Sequence, residues 1–257
     1  MDTSLDGKIA VVTGSTSGIG ATIARALAAD GAAVIISGRR HERGAEVVAQ
    51  ITAHGGRALF EPADLSHPED CARLCRRAAD AWGGLDILVN NAGDFTRRDF
   101  EATDADFWDG VFDLNVRAAF LCSQAAVPHM RQRGGGSIVN IGSGNAFARG
   151  GGRLFAYGCS KAALYGLSMK LAGELARDRI RVNWITVGWI LTEKEFEVQA
   201  GEGLDREQLA ANEARLPMGQ YNTEEDIALG CLYLASDAAA RVTGSDLNIS
   251  AGLSIRI

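Results

Sequence analysis

Seven short apolar runs are separated by amphipathic stretches of helical length, and this alternation constrains the fold more than any other feature. The runs lie at 9–12, 33–36, 58–60, 87–89, 137–141, 182–186 and 246–249. They are too short for helices and suit strands buried on both faces. Helical patterns occupy 19–30, 43–54, 68–81, 104–131, 157–176 and 223–234. Strands alternating with such helices make βαβ units, hence a parallel sheet with helices on both faces. No linker composition or fixed-period repeat divides the 257 residues, so a single doubly wound α/β domain spanning 1–257 is expected. The least regular segment, 188–220, has scattered charges and no clean strand, and reads as a lid or substrate-binding element.

Composition narrows the class further. Apolar residues at 47 % and charged residues at 23 % fit a globular chain. The net charge of -6 offers no basic excess for nucleic acid. No apolar run approaches the roughly 18 residues of a membrane span, and the opening MDTSLDGK lacks the apolar core of a secretory signal. Five cysteines, an odd count without secretory context, point to reduced thiols and a cytoplasmic protein. Cys71 and Cys75 share a helix face near His67, but no second ligand pair follows. They read as small apolar residues, and no metal is expected.

Glycine, at 31 of 257 residues, carries the functional signal through its placement. The first run ends in Thr13-Gly14-Ser15-Thr16-Ser17-Gly18-Ile19-Gly20, directly before a helical pattern. Glycine there permits a tight turn and close approach of a pyrophosphate, while the helix N-terminus offers N–H groups and positive dipole. Gly14, Ser15, Ser17, Gly18, Ile19 and Gly20 are therefore candidate dinucleotide contacts. The second run is followed by Gly38-Arg39-Arg40, with no acid before Glu42. An acid would bind the ribose 2′-OH of NAD, whereas two guanidinium groups suit a 2′-phosphate. NADP(H) is expected in preference to NAD(H); the alternative is a pair of arginines that only solvate a loop. Tyr157-Gly158-Cys159-Ser160-Lys161 opens another helical pattern and puts phenol and ammonium on one face. Lowering a phenol's pKa from about 10 by three units takes about 4 kcal/mol, to which a neighbouring cation contributes. Taken alone, this pair could also be a surface pair.

These motifs occur with Asn90-Asn91-Ala92-Gly93 after a strand, Asn115, Ser143 and a closing Val242-Thr243-Gly244-Ser245-Asp246-Leu247-Asn248-Ile249. In order and spacing, over essentially the whole chain, the set resembles the short-chain dehydrogenase/reductase family. The resemblance implies a seven-stranded Rossmann-type sheet and hydride transfer between a nicotinamide and a carbonyl or alcohol. It implies Tyr157 as general acid/base, Lys161 holding the nicotinamide ribose and depressing the phenol's pKa, and Ser143 polarising the substrate oxygen. Asn115 would position a relay water. Asp64, with Leu65, would contact the adenine unless it is a turn or helix-cap residue. Asn91, Ala92 and Gly93 would line the ribose face; Gly188, Ile190 and Thr192 would lie at the nicotinamide carboxamide. The resemblance also implies a homo-oligomer, a tetramer or dimer, with helices 104–131 and 157–176 at its face.

The chain departs from the family pattern in three places. Gly142 precedes Ser143 where a serine is usual, and Tyr157 follows Ser143 one position later than is common, an insertion that Gly150-Gly151-Gly152 can absorb. Val187-Gly188 replaces Pro-Gly. The phosphate loop has no basic residue, so the NADP expectation rests on Arg39 and Arg40. Substrate-facing candidates are Ser143, Asn145, Tyr157 and Trp189, with Asp94, Phe95, Phe147, Arg149, Arg153 and Phe155 nearby. The aromatic members either favour a ring-shaped substrate or simply pack the loops; the arginines either pair an anion or remain solvated. Two other readings stay open, a non-catalytic NADP-binding regulator of the same fold and a 3-oxoacyl-carrier-protein reductase docking through Arg131 and Arg133.

Overall fold

Each short apolar run pairs in parallel with its neighbours. The computed structural model describes residues 3–255 apart from 202, 204 and 205. The strands are β1 (Ile9–Val12), β2 (Ala33–Gly38), β3 (Arg57–Pro62), β4 (Ile87–Asn90), β5 (Gly136–Ile141), β6 (Ile180–Val187) and β7 (Asp246–Ile249). They form a 7-stranded sheet in the order β3-β2-β1-β4-β5-β6-β7. The chain winds outward from β1 through β2 to β3, then returns beside β1 with β4. This reversal opens a crevice beyond the carboxyl ends of β1 and β4, where open α/β sheets bind ligands.

The helices connecting the first strands are α1 (Gly18–Ala29), α2 (His41–Ala53) and α3 (Pro68–Trp82). After β4 come α4 (Ala105–Phe112), α5 (Ala118–Gln132) and α6 (Phe155–Leu175), then α7 (Glu193–Gly201), α8 (Arg206–Glu213) and α9 (Glu224–Ala235). All four residues of β1 are buried, and successive ones face opposite layers. Ala10 and Val12 join the core beneath α1, α2 and α9, through Leu27, Ile51 and Ile227 among others. Ile9 and Val11 join the core beneath α3, α5 and α6, with Leu74, Ala126 and Leu175. Cys71, Cys75 and Cys122 are buried in this second layer, and burial pushes the Cys75 thiol up to about 12.

One expectation is corrected. The helix expected over 104–131 is interrupted: α4 and α5 are joined by a π-helical turn at Asp113–Arg117. A π turn inserts an extra residue into the helical ladder and rotates the side chains that follow. Here the wider turn contains Asn115, which is fully buried and spends its amide on the neighbouring loop and on Ser160. The irregular stretch 188–220 contains two short helices, α7 and α8; its residues 202, 204 and 205 lie outside the described ones. No helix among the described residues is long and apolar enough to cross a membrane.

Candidate active site

One cleft of about 1360 Å³ runs along the carboxyl ends of the strands. It exceeds the roughly 300–1,000 Å³ of a pocket for one small ligand, and so has room for a dinucleotide beside a substrate. Almost every site residue expected from sequence lines it. Gly14, Ser17, Gly18, Ile19 and Gly20 form one end, with Arg39, Arg40, Asp64 and Leu65 at its rim. Asn91, Ala92 and Gly93 form the floor. Ser143, Asn145, Tyr157, Lys161, Gly188, Trp189, Ile190 and Thr192 surround the other end.

At the end lined by Gly14 and Gly20 the wall is main chain held by buried polar groups. The Thr13 hydroxyl accepts from the Asn91 and Ala92 N–H groups, each at 3.0 Å. The Asn91 amide donates back to the Thr13 and Gly14 carbonyls at 3.0 and 3.1 Å. The loop is tight enough that a Cβ on Gly20 would lie 2.4 Å from Asn91 Nδ2 and 2.5 Å from the Gly14 carbonyl oxygen. Arg40 reaches across to the loop and donates to Ser17 Oγ at 2.6 Å. Ser66 donates to Asp64 through both its N–H and its hydroxyl. These bonds, with the Arg39 charge, hold the Asp64 carboxyl below its usual range. Asp64 is thus a turn residue and a cleft residue at once.

Ser15 is corrected. Its hydroxyl donates to the Val12 carbonyl at 2.6 Å and accepts from Ser37 N–H at 2.9 Å, and its own N–H donates to the Ser37 carbonyl. It is fully buried and ties β1 to β2, while the adjacent Thr16 lines the cleft instead.

At the opposite end, α6 presents Tyr157 and Lys161 one turn apart. Lys161 Nζ donates to the Ile141 carbonyl at 2.8 Å and lies 5.7 Å from the Tyr157 ring centre. Burial lowers the Lys161 ammonium to about 8. Burial also raises the Tyr157 phenol, against a lowering hydrogen bond from the Ser143 hydroxyl. Three polar groups from β5, its following loop and α6 therefore meet at one place.

Asn115 belongs to this arrangement without lining the cleft. Its Oδ1 accepts from Asp94 N–H at 2.7 Å, and its Nδ2 donates to the Asp94 carbonyl and to Ser160 Oγ, each at 2.9 Å. Ser160 Oγ donates in turn to the Tyr157 carbonyl at 2.7 Å. Asn115 thereby positions the loop beneath the cleft and the first turn of α6. Ser160 lies inside the Tyr-x-x-x-Lys motif, yet its role is visible only in three dimensions.

The departures from the family pattern have local reasons. A Cβ on Gly142 would fall 1.9 Å from the ring of Trp184, so the fully buried indole occupies the space of a serine side chain. Val187 ends β6 opposite Ile249, continuing the ladder. Gly150 and Gly152 take positive φ in the loop before α6, where the extra residue was expected.

Part of the wall opposite Tyr157 falls in the expected 188–220 segment, and part lies outside every segment singled out in the sequence. Arg97, Glu195 and Gln199 line the cleft, as do Leu253, Ser254 and Ile255 beyond β7. Glu195 and Gln199 belong to the 188–220 segment expected to bind substrate, whereas Arg97, Leu253, Ser254 and Ile255 carried no sequence signal. Phe95, Phe147 and Arg149 line it as well, but Asp94, Arg153 and Phe155 do not. Arg131 pairs with Asp178, and Arg133 with Asp86 at 3.0 Å.

The arrangement agrees with comparisons to known proteins. A family model described as enoyl-(acyl carrier protein) reductase matches residues 14–254. The D-beta-hydroxybutyrate dehydrogenase of Rhizobium meliloti (strain 1021) is 36% identical over 254 residues, covering 95% of this chain and 98% of that protein. A Pseudomonas aeruginosa RhlG/NADP active-site complex superposes with a TM-score of 0.91 at 35% identity, covering 99% of each chain. A 7 alpha-hydroxysteroid dehydrogenase complexed with NADH and 7-oxo glycochenodeoxycholic acid superposes with a TM-score of 0.91 at 33% identity, covering 98% of this chain and 96% of that one. With its motifs gathered in one cleft on a seven-stranded parallel sheet, and with relatives matched along almost its whole length, the chain belongs to the short-chain dehydrogenase/reductase family.

Proposed function

We propose that the protein transfers a hydride between NADP(H), in preference to NAD(H), and a secondary alcohol or ketone, with Tyr157 as general acid/base. The observation that carries this reading is the meeting of Ser143, Tyr157 and Lys161 at one end of a cleft whose other end is a glycine-lined backbone cradle. A bound nicotinamide dinucleotide supplies the hydride in reduction and accepts it in oxidation. The residues present fit such a group: the cradle has no room for a Cβ at Gly20, and a helix N-terminus adjoins it. Arg39 and Arg40 stand at the rim without an acid between them and β2, which supports a 2′-phosphate.

In reduction, the Ser143 and Tyr157 hydroxyls donate to the carbonyl oxygen, and the phenol passes its proton to that oxygen as negative charge develops. In oxidation the phenolate takes the proton from the alcohol. The Lys161 cation favours the phenolate by charge, and its N–H groups beyond the bond to Ile141 hold the ribose hydroxyls. Asn115 and Ser160 keep the first turn of α6 in place. The segment 188–220 acts as the lid over the substrate end. The same reading includes a homo-oligomer, a tetramer or dimer, through α5, where Phe120 is exposed, and α6. It also includes a reducing cytoplasmic setting, which suits five free thiols.

The test is a panel of ketones and secondary alcohols, followed by reduced-nicotinamide fluorescence with each cofactor. Turnover is expected with NADPH about tenfold or more above that with NADH. Binding of cofactor without turnover across the panel would overturn the reading.

A further inference from the structure

The wall facing the catalytic end contains a buried carboxylate that neither the acid/base chemistry nor the nucleotide contacts use. Glu195 sits in the first turn of α7 with its N–H donating to Thr192 Oγ1 at 3.2 Å. It is 9% exposed and lines the cleft. Three donors converge on one of its oxygens: Gln199 Nε2 at 2.6 Å, Arg97 Nη2 at 2.7 Å and Trp189 Nε1 at 3.3 Å all reach Oε1. Among the described residues no donor reaches Oε2. The indole is itself held edge-on against Tyr221 with ring centres 5.4 Å apart, and the Tyr221 hydroxyl donates to the Leu209 carbonyl. The carboxylate is therefore oriented from α7 and from the loops after β4 and β6, with one acceptor oxygen to spare. The residue lines the cleft with this oxygen unbonded by the protein, so a ligand there can supply the donor.

We propose that Glu195 is a specificity residue whose Oε2 accepts a hydrogen bond from a second hydroxyl of the substrate. This rests on the oxidoreductase reading above and names its substrate class, a diol or polyol in place of a simple alcohol or a hydroxy acid. A mono-alcohol leaves Oε2 without its donor. A substrate carboxylate at the same position meets like charge and has no proton to offer. Glu195 also raises the Tyr157 phenol by its charge, which places the carboxylate within electrostatic reach of the reacting hydroxyl.

The test compares a vicinal cyclohexanediol, cyclohexanol and a hydroxycyclohexane carboxylate on the protein with NADP bound. Wild type is expected to favour the diol over cyclohexanol about tenfold in kcat/KM, and to disfavour the acid further. Glu195→Met is expected to bring the diol-to-alcohol ratio to about one. In Glu195→Gln the three donors take the amide oxygen and an NH2 stands at the Oε2 position, donating to a hydroxyl or a carboxylate. Part of that ratio is therefore expected to remain while the acid improves about tenfold. Glu193→Gln, an exposed change on the same helix, serves as the control and should move neither ratio. Calorimetric binding of the three compounds is read alongside turnover. If none turns over but binding keeps this order and this response to the variants, the acceptor assignment stands and hydride transfer falls. Turnover with a wild-type ratio near one, ratios unchanged in both Glu195 variants, or no measurable diol binding would each overturn the assignment.

Discussion

The two ends of the cleft are made of different material. Around Gly14 to Gly20 the wall is backbone, fixed by the Thr13 hydroxyl, the Asn91 amide and a helix N-terminus, with no space for an added methyl group at Gly20. Around α7 the wall is long side chains, Arg97, Glu195 and Gln199, brought together from separate segments. A backbone cradle recognises what is constant in a dinucleotide and tolerates little change. A wall of side chains can be rewritten one residue at a time, which is how one fold serves many substrates.

The contrast can be broken first at its most rigid point. Gly20→Ala forces a Cβ against the Gly14 carbonyl, and overpacking of this kind costs about 1–3 kcal/mol. The expected result is a lowered Tm and a dinucleotide Kd raised by up to about a hundredfold, measured by thermal unfolding and titration calorimetry. A Kd unchanged within about threefold would mean that the cradle is not where the nucleotide binds. A smaller effect sharpens the same end. Replacing Arg39 and Arg40 together with Ala is expected to weaken NADPH by about ten- to a hundredfold while moving NADH much less. Equal losses for both cofactors would make the arginines structural.

Where the two ends meet, pH sharpens the comparison. Burial raises the Tyr157 phenol and lowers the Lys161 ammonium to about 8, so below that pH the phenol is protonated and the lysine charged. Alcohol oxidation, which needs the phenolate, is expected to rise by up to about tenfold per pH unit and to bend near about pH 8 as Lys161 loses its charge. Ketone reduction, which needs the protonated phenol, is expected to stay level through neutrality. Profiles of kcat/KM in both directions check this, and parallel profiles would remove Tyr157 as the titrating group.

The same division explains what could be read in the chain. Apolar runs such as 9–12 announced their strands because burial on both faces leaves no polar positions. Gly18 and Gly20 announced the cradle because close backbone approach is a local requirement. Asn115 was identified by motif, but its π turn and its bonds to Asp94 and Ser160 depend on packing between α4, α5 and α6. A serine in a glycine-rich loop can face either way, and at Ser15 β2 claims the hydroxyl. Gly142 looked like a lost side chain until Trp184 filled its place. Glu195 and Arg97 are 98 positions apart, and no periodicity links them.

The central claim is that Tyr157 moves the proton while the cradle holds the nucleotide independently. Tyr157→Phe, assayed for turnover and for NADPH affinity on the same preparation, tests both halves at once. The expected result is a loss of turnover of about a thousandfold with a Kd for NADPH within about threefold of wild type. Turnover near the wild-type rate would contradict it.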